Sequence, residues 1–421
     1  MSNFNKDTEH SHIEKIRQSL PAVQKIVYMN TGTMGPLPLR TFEAILKTQQ
    51  EEVYNGRIGV NMDELVKKKE KARNGARESI ARLINAEVEE IALTANTSEG
   101  INHIINGFNW KKGDEVLTID IGLEHVAMLL PLYAILKRYE VDVKIARISI
   151  GENPLKALKE QISSKTRLIA ISHVFFSTGQ LLPIEEIIQF AHLKGIPVLV
   201  DGAQAVGAIP VDVKEINVDF YSLPCQKWLC GPEGTGAIFI KKGMLNELSQ
   251  TYIGYNSIEI LGPPDFFRIH SNARRFEVGS TYLPSIIGQK CSIDWLLDEV
   301  GLKWIYKRVG DLYHIARKEL STLPGVKIVT PDRAAGLLSF RVEGIASNKL
   351  VEHLGAKGIV VRSILEMDCV RASLGFFNTE NEIEQLVKGV LEVIKNKEVD
   401  VPVRYSHEVL RTTLRDKFSA G

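Results

Sequence analysis

The sequence predicts an α/β fold, a mostly parallel sheet covered by helices, followed by a smaller α+β unit. Three observations predict it. From about residue 40 to 300, helix-period segments alternate with short runs rich in β-branched residues. Those runs are apolar in their middles rather than alternating, as strands covered on both faces tend to be. Beyond about residue 295 the order changes to a long helix, then strands, then a final helix.

The expected strands are IALTAN (91–96), EVLTID (115–120), RLIAIS (167–172), PVLVD (197–201), VDFYSL (218–223) and GAIFI (236–240). Helices are read from apolar stripes. Phe42, Ile45, Leu46 and Val53 share one face, and Leu65, Ala72, Ala76, Ile80 and Leu83 share another. In the second unit, a helix through LYHIARKELSTL precedes strands LLSFRVEG and IVVRS and the helix IEQLVKGVLEVI. The expected division is an N-terminal segment 1–27 packing on the small domain, a large domain 28–294, a small domain 295–396 and a charged tail 397–421. At 421 residues the chain exceeds the length of one domain, which is about 150 residues.

Composition narrows the function. Lys plus Arg number 52 against 51 Asp plus Glu, so a net charge of +1 offers no general field for nucleic acid or an anionic membrane. No run of about 18 apolar residues and no secretory leader is present, so a cytoplasmic location is expected. Four cysteines at these spacings form neither a disulfide scaffold nor a zinc site, and no metal is expected.

The chemistry concentrates where PVLVD delivers Asp201 and VDFYSL leads to Lys227. Ligands of open α/β sheets sit at strand C-termini, so both side chains can enter one crevice. Alone, a lysine in QKW is an ordinary surface residue, and an aspartate ending a strand is a turn or cap residue. Together, D-x-x-Q at 201–204 and K-W-x-x-G-P-x-G-x-G at 227–236 resemble the signature of the class V aminotransferase and cysteine desulfurase superfamily. These are pyridoxal 5'-phosphate (PLP) enzymes of fold type I, whose large domain carries a mostly parallel seven-stranded sheet. Within them the chain resembles the cysteine C–S lyase and isopenicillin N epimerase-like branch, over roughly residues 28–395. GPEGTG is not a dinucleotide fingerprint, because the strand and helix order around it is wrong.

The resemblance implies PLP as cofactor and an amino acid as substrate. Lys227 would bind the cofactor as an imine and, once released, shuttle the Cα proton. Asp201 would keep the pyridine nitrogen protonated, and Gln204 would bond the phenolic oxygen. In TANTSEGIN, Asn96 can cap a helix with Glu99 three residues later; the resemblance assigns Thr97 and Ser98 to the phosphate, though capping alone would explain the string. His125 in GLEHVAML matches the histidine that stacks on the ring, where the plain alternative is a loop histidine facing solvent. In RRFEVGS and the residue after it, Ser280, or failing it Thr281, would reach the phosphate of a neighbouring subunit, which implies a homodimer with shared sites; Arg274 and Arg275 are interface or substrate residues, or a solvated basic pair.

The substrate carboxylate would meet Arg371, with Arg362 at the end of IVVRS as a second arginine; Asn30 and Thr31 in YMNTGTMGPLP would line the entrance, though a glycine- and proline-rich turn alone would explain that string. Cysteine desulfurases carry a mobile loop with a nucleophilic cysteine between these elements. Here only SILEMDCV stands there, and Cys369 reads as a buried thiol on a strand. Phe176 replaces an asparagine common in relatives, as in the lyase-like branch. The leading expectation is therefore C–S β-elimination from cysteine, cystine or a related amino acid, through the external imine and the carbanion it stabilises. The alternatives are transamination or epimerisation by the same machinery, a cysteine desulfurase less readily, and a non-catalytic PLP-fold binding protein.

Overall fold

The computed structural model describes residues 2–57, 61–119 and 122–395. The tail expected at 397–421, residue 396 and Asp120 at the end of EVLTID lie outside them. The chain opens with α1 (Ser2–Gln18), β1 (Val27–Tyr28), α2 (Leu39–Asn55) and α3 (Met62–Ile84). An alternating stretch follows: β2 (Ile91–Thr94), α4 (Thr97–Gly107), β3 (Glu115–Ile119), α5 (Val126–Tyr139), β4 (Asp142–Ala146), α6 (Leu155–Gln161), β5 (Thr166–Ser172) and α7 (Ile184–His192). Then come β6 (Val198–Asp201), β7 (Phe220–Pro224), β8 (Gly236–Ile240), the hairpin β9 (Ile258–Leu261) and β10 (Phe267–Ile269), and α8 (Leu283–Trp295). The last part holds α9 (Leu302–Ser321), β11 (Val326–Ile328), β12 (Leu337–Val342), α10 (Ser347–Ala356), β13 (Ile359–Val360), β14 (Arg362–Ile364), β15 (Cys369–Ser373) and α11 (Glu380–Lys395).

The large sheet has seven strands in the order β2-β8-β7-β6-β5-β3-β4. Neighbours from β7 to β4 are parallel, and β8 runs antiparallel to both β7 and β2. Alternate residues feed two cores. Leu117, Ile169, Val198 and Leu223 face one cluster with α3, α7 and α8, while Val116, Leu168, Leu199 and Phe220 face another with α4 and α5. Each such side chain contributes about 1.5–3 kcal/mol by leaving water, which is why helices must cover both faces. All six expected strands form. The seventh, β4, lies at the sheet edge, where exposed Asp142 and half-buried Lys144 interrupt the apolar run by which its neighbours are legible.

The α3 stripe packs inward as expected, with Ala76, Ile80 and Leu83 buried. The α2 stripe does not. Phe42, Leu46 and Val53 are exposed, Val53 by 76%, and α2 instead buries Thr41 and Thr48 while Ile45 crowds Gly288 of α8. An apolar stripe on a helix specifies burial but not the partner that provides it.

The small sheet is antiparallel, ordered β11-β12-β15-β14, and packs with α9, α10 and α11; β13 pairs separately with β1. Val27 and Met29 join this cluster, whereas Leu296, Val300 and Ile305 join the large one. The N-terminal segment touches both units. Ile16, Leu20 and Val23 lie in the large core, while Arg17 donates to Phe377 O at 2.8 Å and pairs with Glu382 at 2.9 Å. Among the described residues no helix is long and apolar enough to cross a membrane.

One buried ion pair fastens α3 to the large sheet. Arg77 donates through Nε and Nη2 to the two oxygens of Glu277, each at 2.8 Å, and Glu277 also accepts the Leu93 N–H at 3.0 Å. Glu277→Ala leaves a buried guanidinium without its counter-charge and is expected to cost about 3–5 kcal/mol, read as a fall in the denaturation midpoint, with Glu277→Gln intermediate.

Candidate active site

Parallel strands deliver Asp201 and the β7 end side by side, with Asp201 opposite Ser222. The loop 225–235 then turns back into β8 at the same edge, and Lys227 on it lines one cavity with Asp201. The N-terminal segment buttresses this loop: Gly35 N–H donates to Gln226 O at 2.7 Å, and a Cβ at Gly35 would come within 2.1 Å of Lys227 O. Only glycine permits that approach.

Burial sets the protonation behaviour of the pair. It pushes the Lys227 amine down to about 8, opposed by Asp201 and assisted by Arg371 and Arg362. The same burial pushes Asp201 up, and Lys227 with the Ala203 N–H, 2.8 Å from Oδ1, pulls it back. The lysine is therefore within reach of its neutral, nucleophilic form near neutral pH.

At the far end of the cavity α4 begins. Asn96 Oδ1 accepts the Glu99 N–H at 2.9 Å, and Glu99 reaches back to the Ala95 N–H. The cap thus satisfies two donors and leaves the first-turn N–H groups and hydroxyls of Thr97 and Ser98 at the positive end of the helix. A Cβ at Gly100 would meet Ser222 Oγ at 2.4 Å, so glycine lets this helix lie close on β7.

His125 caps α5: its Nδ1 accepts the Ala127 N–H at 3.1 Å. The neutral ring therefore carries its proton on Nε2. Burial and then the positive charges of Lys227, Arg362 and Arg371 push it down to about 4, so it is a neutral donor and not a base. Phe176 stands edge-on to it, with ring centroids 4.8 Å apart.

Both arginines reach the cavity. Arg371 is fully buried, donating to the Phe176 carbonyl at 2.7 Å and to Thr33 Oγ1 at 3.0 Å; Arg362 donates to the same Oγ1 at 3.2 Å. Gln204 also lines it, with Oε1 accepting from Trp228 Nε1 at 2.9 Å and Nε2 donating to Gly32 O at 2.7 Å.

The expectation for the entrance needs correction. Neither Asn30 nor Thr31 lines the cavity; Gly32 and Thr33 do. Asn30 lies behind Thr33 and accepts its hydroxyl proton at 2.7 Å, and Thr31 is fully buried against Gly375. The turn after β1 rotates successive side chains, which the string alone leaves open. Ser280 stands apart, exposed and bonded to the Tyr255 hydroxyl. Arg274 pairs with Glu70, and Arg275 is buried against backbone carbonyls, so neither is a solvated cation.

Two buried groups were missed. Glu124, beside His125, accepts the N–H groups of Ser172 and His125 at 2.9 and 3.1 Å and the Ser172 hydroxyl. Burial pushes it up to about 7, with Asp201 adding repulsion. His173 holds the Tyr221 hydroxyl at 2.8 Å and donates its backbone N–H to Asp201 O at 2.9 Å. Glu124 carried a signal, a charge between Leu123 and a candidate histidine; His173 carried none beyond following a strand.

A helix N-terminus for a phosphate, a buried carboxylate for a ring cation and a desolvated lysine for an aldehyde form a donor set that fits PLP. The family model for class-V aminotransferases matches residues 35–386, and the chain belongs to this family. Similar proteins include a probable cysteine desulfurase of Methanothermobacter thermautotrophicus, 29% identical over 90% of this chain and 98% of its own. A cysteine desulfurase of Shigella sonnei is 27% identical over 90% and 98%. Among solved structures, a C-DES mutant with glycine covalently linked to its PLP cofactor is 26% identical, with a TM-score of 0.85 over 89% of this chain and 99% of that one. The cystine C–S lyase C-DES in complex with cysteine persulfide is 27% identical, with a TM-score of 0.84 over 89% and 99%. The chain is thus a PLP-dependent enzyme with the α/β fold of those structures. Among the described residues no group of three His, Cys, Asp or Glu side chains is placed to hold a metal ion.

Only the neutral amine attacks a carbonyl, so capture of PLP by cofactor-free protein is expected to accelerate as pH rises through about 8 and to level off above it. Asp201→Asn removes the carboxylate that favours the ammonium and should move that midpoint to lower pH. Stopped-flow visible absorbance measures both.

Proposed function

We propose that this enzyme cleaves the C–S bond of cysteine, cystine or a related thioether amino acid by β-elimination, yielding pyruvate, ammonia and the sulfur fragment. The observation that carries this reading is the connection between the two arginine strands. β14 and β15 are joined by one tight turn through Leu365–Met367, with Ile364 paired to Cys369. Cys369 is fully buried on β15, and burial pushes its thiol up to about 11. A thiol held there cannot swing to a substrate sulfur or ionise readily. The names of the similar proteins support C–S chemistry on cysteine or cystine.

PLP, when bound, supplies an electron sink for the pair released at Cα. Thr97 and Ser98 would hold its phosphate, Asp201 its ring nitrogen and Lys227 its aldehyde carbon, with Gln204 beside it. Arg371 and Arg362 would fix the substrate carboxylate. The freed Lys227 amine would take the Cα proton, and the Cβ–S bond would then break with its electron pair leaving on sulfur. Lys227 can return the proton to that sulfur, and the three-carbon remainder hydrolyses to pyruvate and ammonia. His125, which lines the cavity, would lie against the cofactor and offer an Nε2–H donor.

A homodimer completes this proposal. Exposed Phe42, Leu46, Val53 and Tyr54 on α2 form an apolar surface suited to a second copy, with Ser280 reaching its partner's phosphate site. A dimeric mass in solution is expected, and Ser280→Ala should weaken PLP retention; a monomer that holds PLP fully would contradict it.

Purified protein supplied with cystine or cysteine should release pyruvate, and Lys227→Ala should lower that rate by at least about a hundredfold. Stoichiometric transamination with an amino donor instead would sink the proposal. The relatives' name, cysteine desulfurase, favours a second reading in which sulfur is taken off cysteine, and Cys369 is the thiol of this chain on the arginine strand. Cys369→Ser separates the two: elimination persists within about twofold, whereas persulfide transfer through that thiol ends.

A further inference from the structure

We propose that Thr33 is a positioning residue that holds Arg362 and Arg371 in register so that both take a single substrate carboxylate. The inference rests on assigning these arginines to an amino acid carboxylate. The register of β14 and β15 sets the two directly opposite each other, an arrangement in which like charges repel. What lies between them is one oxygen. Thr33 Oγ1 accepts from Arg371 Nη2 at 3.0 Å and from Arg362 Nη1 at 3.2 Å, and its own proton goes to Asn30 Oδ1 at 2.7 Å.

A hydroxyl has one proton and two lone pairs. Asn30 takes the proton, so both lone pairs are turned toward the guanidinium groups. Thr33 therefore stands beside the two guanidinium groups as a shared neutral acceptor that aligns them, leaving their remaining N–H donors for a carboxylate. Arg371 is otherwise met by neutral groups: its Nη1 donates to the Phe176 carbonyl, and its buried Nε has no partner among the described residues. Two donors within hydrogen-bond distance of one oxygen are close enough to be bridged by the two oxygens of one carboxylate. The second arginine then needs no second carboxylate on the substrate.

The test uses PLP-loaded enzyme titrated with glycine and with glycinamide, which lacks the carboxylate, read by the change in visible absorption of the cofactor. Thr33→Val is expected to weaken glycine by about tenfold, because both arginines lose the shared acceptor that aligns them. Glycinamide should change by less than about twofold, and Thr33→Ser should restore glycine binding. In the Thr33→Val background, Arg362→Gln should cost less than in the wild type, because the two act as a unit. Should Thr33→Val not retain PLP, Asn30→Ala, which releases the hydroxyl proton, is expected to weaken glycine selectively in the same way. Equal losses for both probes, no rescue by serine, or an unchanged cost of Arg362→Gln overturns the proposal. Glycine has no sulfur, so this result is independent of whether the enzyme cleaves C–S bonds.

Discussion

The attraction between Lys227 and Asp201, set against the burial of both, is the interaction on which the site depends. Burial alone would neutralise each; their proximity restrains both shifts, leaving the amine near 8. Everything around the pair serves that balance. Parallel strands place the carboxylate, the return of the chain into β8 places the amine, and Arg362 and Arg371 add positive charge that keeps the lysine close to deprotonation and His125 neutral.

The cavity belongs to neither unit alone. Arg371 comes from the small sheet but is held by the Phe176 carbonyl in the loop after β5, and Gln204 after β6 grips the backbone of Gly32. Gly35 carries the hold from that N-terminal turn to the lysine loop. Relative motion of the two units would change several of these bonds together, so substrate recognition and the placement of the lysine are mechanically linked.

Much of this was legible in the sequence because buried parallel strands must be apolar and because Asp201, Lys227, Thr97 and His125 lie next to such strands. What escaped did so for separate reasons. β4 was missed because an edge strand tolerates charge, and the outward face of α2 because an apolar stripe does not name its partner. Thr33 was passed over for Asn30 and Thr31 because in an irregular turn no periodicity fixes which side chain faces inward. Glu124 was missed because its meaning comes from three donors supplied by residues far apart in the chain or by its neighbour's backbone.

The reversal at β8 has a further consequence. A parallel successor to β7 would need a crossover to the opposite edge of the sheet, carrying the chain away from the cavity. Because β8 runs back instead, the lysine loop is clamped at both ends by the same strand pair, with Pro224 opposite Gly236 and Cys225 N–H bonded to Thr235 O. Tolerance to change is therefore unevenly distributed over the molecule. The turns at Gly113 and Gly195 have open space around them and suit insertions or fused sequences, while the part of the lysine loop next to Lys227 has no such slack, since a Cβ at Gly231 would meet Cys225 Sγ at 2.3 Å.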